Sequence, residues 1–137
     1  MKRTLIFVIP FVLLLDLPGV PARAAQKGQF VLRCPYSHTR MDDPIVFPGQ
    51  PGASHLHDFF GNKGVDAFST FKSMLAGETT CRVASDTAGY WTPTGYLDGV
   101  RLKPKVMRFH YLVSATGSTV TIPPGLQMVG GNRDASS

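Results

Sequence analysis

Hydrophobic residues along this chain fall in short runs separated by glycine, proline and polar residues, a pattern typical of β-rich proteins. The clearest run is KVMRFHYLVS at 105–114. From Met107 onward its odd-numbered positions, Met107, Phe109, Tyr111 and Val113, form one wholly apolar face. Its other face carries Arg108 and His110. The alternation predicts a strand with its apolar face buried.

Further short runs predict a series of strands joined by turns. They are QFVLRC (29–34), PIVF (44–47), HLHDFF (55–60), TTCRV (79–83), GYWTP (89–93), STVTI (118–122) and GLQMV (125–129). One helix is predicted at FKSMLA (71–76), capped by Ser69 or Thr70 and ended by Gly77 in a left-handed conformation. The predicted fold is mainly β, a sandwich of antiparallel sheets with one short helix.

The first 24 residues predict a secretory signal peptide. A basic start, MKR, precedes an apolar run that Pro10 interrupts, and Ala22 and Ala24 provide the small residues of a cleavage site. The run is shorter than the roughly 20 apolar residues of a membrane span. An uncleaved anchor is the alternative. We expect cleavage after Ala24, a secreted protein of residues 25–137 forming one β-rich domain, and no stable membrane span afterwards.

Removing the signal peptide lowers the charge. The full chain has 14 Lys and Arg against 9 Asp and Glu. Residues 1–24 contain three of the basic residues and Asp16, so 11 remain against 8 and the net charge falls from +5 to +3. The charges form no block of one sign, so the sequence does not predict nucleic-acid binding.

Cys34 and Cys81 are the only cysteines. Two cysteines in an exported chain favour a disulfide. Two reduced thiols at a metal are the alternative, although neither cysteine lies in a CxxC motif.

The stretch GASHLHDFFGN (52–62) contains the candidate chemistry. In an extended segment, His55 and His57 project from the same face. We weigh three roles for them: acid/base catalysis with Arg40, Asp43, Arg108 and His110, metal binding, or hydrogen bonding that holds the preceding loop. A metal would need a third ligand, for which His110 is the best candidate, with His38, Asp42 and Asp43 as alternatives. The sequence identifies no cofactor.

Aromatic residues offer a second kind of site. Tyr90, Trp91 and Tyr96 could stack on sugar rings, although a single tryptophan in a strand more often belongs to the core.

Four segments in fixed order resemble a family of secreted bacterial and fungal domains, domain of unknown function 1996. They are RMDDPIVFPGQPGASHLHDFFGN, LAGETTC, GYWTPTGYLDG and IPPGL. The resemblance covers about residues 30–130. The positions that match the family pattern are Arg40, Asp43, Pro44, Pro48, Gly49, Ser54, His55, His57, Phe60, Gly61, Asn62, Cys81, Tyr90, Trp91 and Pro93.

The resemblance implies export and an association with cell walls or polysaccharide, because some fungal members lie beside carbohydrate-binding modules. It implies no particular reaction. Family domains continue well beyond the PPGL motif, so the resemblance also predicts that this chain is the N-terminal part of a larger domain. We therefore expect either an enzyme acting on polysaccharide through His55 and His57, or a non-catalytic wall-binding or adhesion module.

Overall fold

A four-stranded antiparallel sheet forms the centre of the molecule in the computed structural model, which describes residues 28–112 and 122–131. The elements are β1 (Gln29–Arg40), β2 (His57–Gly61), α1 (Phe71–Leu75), β3 (Gly89–Pro93), β4 (Gly95–Leu97), β5 (Val100–Leu102) and β6 (Val106–Leu112). The sheet order is β3-β2-β1-β6, and β4 pairs with β5 in a separate hairpin. The prediction of a mainly antiparallel β fold with one short helix is confirmed.

One face of the four-stranded sheet carries the hydrophobic core, and we call it the core face. Alternate residues of β1, Leu32 and Cys34, pack there with Phe60 of β2. The predicted apolar face of β6 packs against this cluster, because Met107, Phe109 and Tyr111 alternate in step with β1. Burial of alternate side chains across paired strands stabilises the register.

A disulfide between Cys34 and Cys81 lies in this core and confirms the predicted pairing. Both cysteines are buried, and the bridge joins β1 to the segment that precedes β3.

The opposite side of the sheet carries the His-x-His stretch, and we call it the site face. Arg40 of β1 is paired with His57 of β2, and Phe59 is paired with Trp91 of β3. Every residue of β2 is buried. A central strand covered on both faces explains why HDFF lacks the alternation of a half-exposed strand.

Gly61 ends β2 in a backbone conformation that requires glycine. Its φ is 76°, and a Cβ there would lie 2.4 Å from the carbonyl oxygen of Ala88. Glycine therefore permits β3 to approach β2 closely at this point.

The helix begins as predicted but ends differently. Thr70 is the N-cap and accepts a hydrogen bond from the Ser73 amide, and the Ser73 hydroxyl accepts one from the Thr70 amide. The expected left-handed Gly77 cap is wrong, because Gly77 does not have a positive φ; Ala76 caps the helix in a right-handed conformation. Gly77 is needed for space instead: a Cβ there would lie 2.6 Å from Nδ2 of Asn62.

Three predicted strands are not strands in the structure. PIVF (44–47) forms turns, because the Asp43 carboxylate accepts hydrogen bonds from the Ile45 and Val46 amides and folds the segment back. TTCRV (79–83) contributes only an isolated bridge between Thr79 and Asn62. GLQMV (125–129) has no strand pairing among the described residues. The signal peptide prediction and most of STVTI lie outside the described residues.

Candidate functional site

The loop that precedes β2 is fixed by one buried carboxylate. Asp42 accepts hydrogen bonds from the Gly52 amide at 3.0 Å and the Ala67 amide at 3.2 Å. The Ser54 amide donates to the Met41 carbonyl at 3.2 Å. These bonds close the proline- and glycine-rich segment into a rigid turn against the start of β2.

His57 lies at the base of this loop and is almost fully buried. Its Nδ1 is 3.0 Å from the Asp42 carbonyl oxygen and 3.2 Å from the Ser54 hydroxyl. A carbonyl oxygen only accepts hydrogen bonds, so Nδ1 carries the proton. In the neutral ring Nε2 then keeps its lone pair. Within the described part of the chain, the side-chain hydrogen bonds of His57 are all made by Nδ1.

Burial lowers the pKa of His57 below its ordinary value of 6.5. The hydrogen bond to the Asp42 carbonyl raises the pKa and the nearby His55 lowers it, but burial is the largest cause. His57 is therefore neutral at pH 7, with Nε2 able to take a proton from a ligand or to bind a metal.

His55 lies beside His57, with ring centroids 4.4 Å apart. His55 precedes β2 and is exposed, whereas His57 is the first residue of the strand. The prediction that the two imidazoles are close in space is confirmed.

Arg40 lies next to His57 on the site face, as its Cα partner across the β1–β2 pair. Its side chain is exposed and forms no ion pair with a described residue. Arg40 is therefore placed where its guanidinium can bind an anionic group near His57.

Asp43 contributes to the site as structure and charge. Its Oδ1 accepts from the Ile45 and Val46 amides at 2.9 Å, and its Oδ2 accepts from the Trp91 indole at 3.3 Å. Asp43 is buried and both of its carboxylate oxygens accept hydrogen bonds. It therefore holds the turn at 45–46 and the Trp91 ring in place. The structure does not favour the proton-transfer role expected for it.

The proposed third metal ligand, His110, is far from the histidine pair, so this hypothesis is wrong. His110 is paired with Val31 near one end of β1, whereas His57 is paired with Arg40 at the other. Val31 and Arg40 are nine positions apart on the strand, a distance of roughly 30 Å. His110 instead contacts the Gln29 side chain.

His38 is also placed elsewhere. It stacks on Phe59, with centroids 4.8 Å apart, and its Nε2 bonds the Val65 carbonyl at 2.8 Å. In residues 28–112 and 122–131, the group that could converge on a metal is Cys34, Cys81 and Asp86, and its two sulfurs are bonded to each other.

The three candidate stacking residues do not form one platform, because neighbours in a strand project from opposite faces. Trp91 packs on Phe59 on the site face, with centroids 5.7 Å apart. Tyr90 packs on Phe109 on the core face at 4.1 Å and donates to Asp86. Burial, followed by the Asp86 charge, raises the pKa of Tyr90. Tyr96 lies on β4 and is exposed.

An ion pair between a buried carboxylate and an exposed arginine behind the site was not predicted. Asp58 is only 1% exposed, and its carboxylate binds Arg101 of β5 and accepts from Thr39 at 2.7 Å. Hydrogen bonding with Tyr36, followed by hydrogen bonding with Asp58, raises the pKa of Arg101. No local pattern signals this pair, because 43 positions separate its members along the chain.

The partners of His57 were likewise hidden in the sequence. Ser54 is close to it in sequence, but the Asp42 carbonyl is fifteen positions away, at the far end of an irregular loop. Any residue has a carbonyl, so residue type carries no signal for this contact.

Residues 43–137 match the family described as Domain of unknown function (DUF1996). The chain belongs to this family. The match begins at Asp43 and includes His55, His57 and Trp91, so most of the candidate site falls inside the DUF1996 region. Neither the curated proteins nor the solved structures contain a significant match to the chain. Among the described residues, no helix is long and apolar enough to cross a membrane.

Proposed function

We propose that this DUF1996 protein is secreted and acts on extracellular or cell-wall polysaccharide, with His57 as the proton acceptor. The observation that carries the proposal is the hydrogen bond between His57 Nδ1 and the Asp42 carbonyl, which leaves the Nε2 lone pair of a neutral imidazole for chemistry.

The neighbours of His57 support acid/base work. His55, exposed and with its ring centroid 4.4 Å from that of His57, can exchange protons with solvent. Arg40 on the same face can bind a negative charge on the substrate or one that develops during reaction. The buried Asp42 carboxylate holds the loop, so the geometry of His57 is set before a substrate arrives.

Export is supported by two features. The Cys34–Cys81 disulfide is of a kind that forms and persists in oxidising compartments. The predicted signal peptide would deliver the chain to such a compartment.

Product release from a panel of neutral and acidic polysaccharides tests the proposal. Wild-type protein should release oligosaccharides from at least one polymer, and His57→Ala should lower the rate by about a hundredfold or more, the usual contribution of a general base. Lys63→Ala is the control, because it removes an exposed side chain that pairs with Glu78 beyond the end of β2 opposite to His57. Equal activity in the wild type and the His57 variant would refute the proposal.

A second candidate function is polysaccharide binding without catalysis, favoured by the hairpin β4–β5. Tyr96 is 57% exposed there, beside exposed Leu97 and Val100. An exposed aromatic ring on a hairpin can stack on a sugar. In sedimentation with insoluble polysaccharide, this function predicts binding that Tyr96→Ala weakens and His57→Ala leaves unchanged, with no product released.

A further inference from the structure

The site face continues beyond the histidines along β1 and onto β6. Pairing places Val31 opposite His110, Arg33 opposite Arg108, and Pro35 opposite Val106. These side chains lie opposite in direction to Leu32, Cys34 and Met107, which face the core. A β-bulge between Tyr36 and Thr39 shifts the alternation of β1 by one residue, so they share the site face with Arg40 and His57. We call Arg40, Arg33, Arg108 and His110 the basic track.

Two arginines directly opposite each other are an unusual choice for an antiparallel pair. Like charges in this position repel and destabilise the sheet. Arg33 and Arg108 occupy such positions, with Arg108 exposed and Arg33 half-buried. A negative charge bound between the two side chains would relieve this repulsion.

No acidic side chain of the described residues neutralises the pair. The ion pairs in this part of the chain are Lys63–Glu78 and Arg101–Asp58, and neither involves the basic track. All described acidic residues except Asp98 accept hydrogen bonds elsewhere: Asp42, Asp43, Asp58, Asp66, Glu78 and Asp86. The segment 113–121 that follows β6 contains no acidic residue.

Apolar surface accompanies the charges. Val31 lies beside Arg33 on this face and is 39% exposed, and Leu112 at the end of β6 is 71% exposed. A carbohydrate ring has apolar C–H faces and polar edges, so alternating apolar and cationic side chains suit a chain of charged sugars. Gln29, bonded to His110, adds a neutral hydrogen-bonding group.

The track leads towards the histidine site. Arg33 and Arg40 are seven residues apart on the same strand, which corresponds to roughly 20 Å. A polymer lying along β1 could contact Arg33 and Arg108 at one end and reach Arg40 and His57 at the other. A single small anion could not make both sets of contacts.

We propose that the site face of β1 and β6 binds an anionic polysaccharide through carboxylate or sulfate groups held by Arg33 and Arg108, with Arg40 receiving the next charges towards His57. This inference rests on the proposed function for its choice of polymer, since it assigns the substrate class of that same site. Arg33 and Arg108 bind and position the polymer; they take no part in proton transfer.

Binding to acidic and neutral polymers tests the inference directly. Wild-type protein is passed over immobilised polygalacturonate, a sulfated glycan and a neutral glucan at increasing salt concentration. We expect retention on both acidic polymers, weakening as salt screens the charges, and little on the glucan. The variant Arg33→Gln/Arg108→Gln should bind the acidic polymers roughly tenfold more weakly, because two charges near the anionic surface are lost.

The matched control is Lys63→Gln/Lys103→Gln, which also removes two positive charges. Lys63 pairs with Glu78, and Lys103 lies over the Tyr36 ring, so neither belongs to the basic track. The affinity of this variant for the acidic polymers should stay within about twofold of the wild-type affinity. The arginine variant should melt no lower than wild type, since its substitutions relieve like-charge repulsion. Equal weakening in both double variants would show that net charge alone drives retention, and would overturn the inference.

Four further outcomes are decisive. Equal retention on the neutral glucan, or binding to vesicles of anionic phospholipid but not to the acidic polymers, would also overturn the inference. Product release by wild type from a neutral polymer only would uphold the proposed function and refute the anionic substrate. Selective, arginine-dependent binding to acidic polymers without product release from any polymer would uphold the binding site and refute the proposed reaction.

Discussion

At the residue scale, the burial of His57 links its protonation to the stability of the folded protein. Its pKa is lowered in the folded protein, chiefly because burial disfavours the charged imidazolium. As pH falls, the unfolded chain takes up this proton first. The contribution of His57 to stability is therefore fully present above its ordinary pKa of 6.5 and is lost as pH falls below that value towards the lowered pKa.

We accordingly predict that the thermal midpoint of the wild type falls between pH 7 and pH 5 more steeply than that of His57→Gln. Glutamine can still donate a hydrogen bond to the Asp42 carbonyl but does not titrate. Thermal melts monitored by circular dichroism across this range provide the measurement. His110→Gln should keep the wild-type slope, and identical slopes for wild type and His57→Gln would contradict the assignment.

Gly77 has no room for a side chain because the Asn62 side chain lies against it. Its added Cβ would meet the Asn62 amide, whose Nδ2 donates to the Met74 and Thr87 carbonyls at 2.9 and 2.8 Å. Asn62 is buried and joins the end of α1 to the segment before β3.

We predict that Gly77→Ala lowers the free energy of unfolding by about 1–3 kcal/mol, because the extra methyl group overpacks this contact. Gly64→Ala is the control, since the nearest atom to its Cβ would be 3.6 Å away. Urea denaturation of both variants distinguishes crowding from a general intolerance of alanine in these loops. A Gly77 variant as stable as wild type would show that Asn62 can move aside.

At the scale of elements, the hairpin β4–β5 is joined to the sheet by a polar contact rather than an apolar one. Leu97, Val100 and Leu102 are exposed, whereas Arg101 reaches the buried Asp58 carboxylate. Arg101 also donates to Thr39, which itself bonds Asp58. The ion pair therefore helps to hold the hairpin against the sheet, together with the short connection from β3 through Thr94.

We predict that Arg101→Gln lowers the thermal midpoint markedly, because it leaves the Asp58 charge buried without its partner. Arg101→Gln/Asp58→Asn should recover part of the loss, since the double variant buries no charge. Lys103→Gln, two residues away and exposed, should change the midpoint little. Thermal melts of the three variants test this, and a double variant less stable than Arg101→Gln would contradict the explanation.

The helix shows which element-level features follow from sequence. Its N-terminus was predictable because Thr70 and Ser73 form a local capping box three residues apart. Its C-terminus was not, because the role of Gly77 depends on Asn62, which the fold brings next to it. The strand prediction for PIVF failed for a similar reason. The Asp43 carboxylate accepts hydrogen bonds from two amides that a strand would have paired with a neighbouring strand.

At the scale of the whole molecule, the core is small, so the disulfide makes a large contribution. The bridge joins residues 47 positions apart and packs beside Leu32 and Phe60. A crosslink that closes so long a loop reduces the entropy of the unfolded chain.

We predict that Cys34→Ala/Cys81→Ala lowers the free energy of unfolding by about 4 kcal/mol in the chain-entropy description. Equilibrium urea denaturation of wild type and variant measures the loss. Reducing the disulfide of the wild type should lower its urea midpoint. The same treatment should leave the urea midpoint of the variant unchanged. A variant that matches oxidised wild type would show that the apolar core alone sustains the fold.

The sequence by itself determined the features that repeat locally or need only one partner. Period-two alternation predicted β6 and its buried face, the pair of lone cysteines predicted the disulfide, and the spacing of His55 and His57 predicted their proximity. Only the tertiary structure decided which groups surround them. It placed the Asp42 carbonyl on His57, Arg101 on Asp58, Trp91 and Tyr90 on opposite faces, and His110 far from the histidine pair. The physical reason is that these contacts join positions distant in sequence, through strand register and loop closure, and neither is encoded in any single segment.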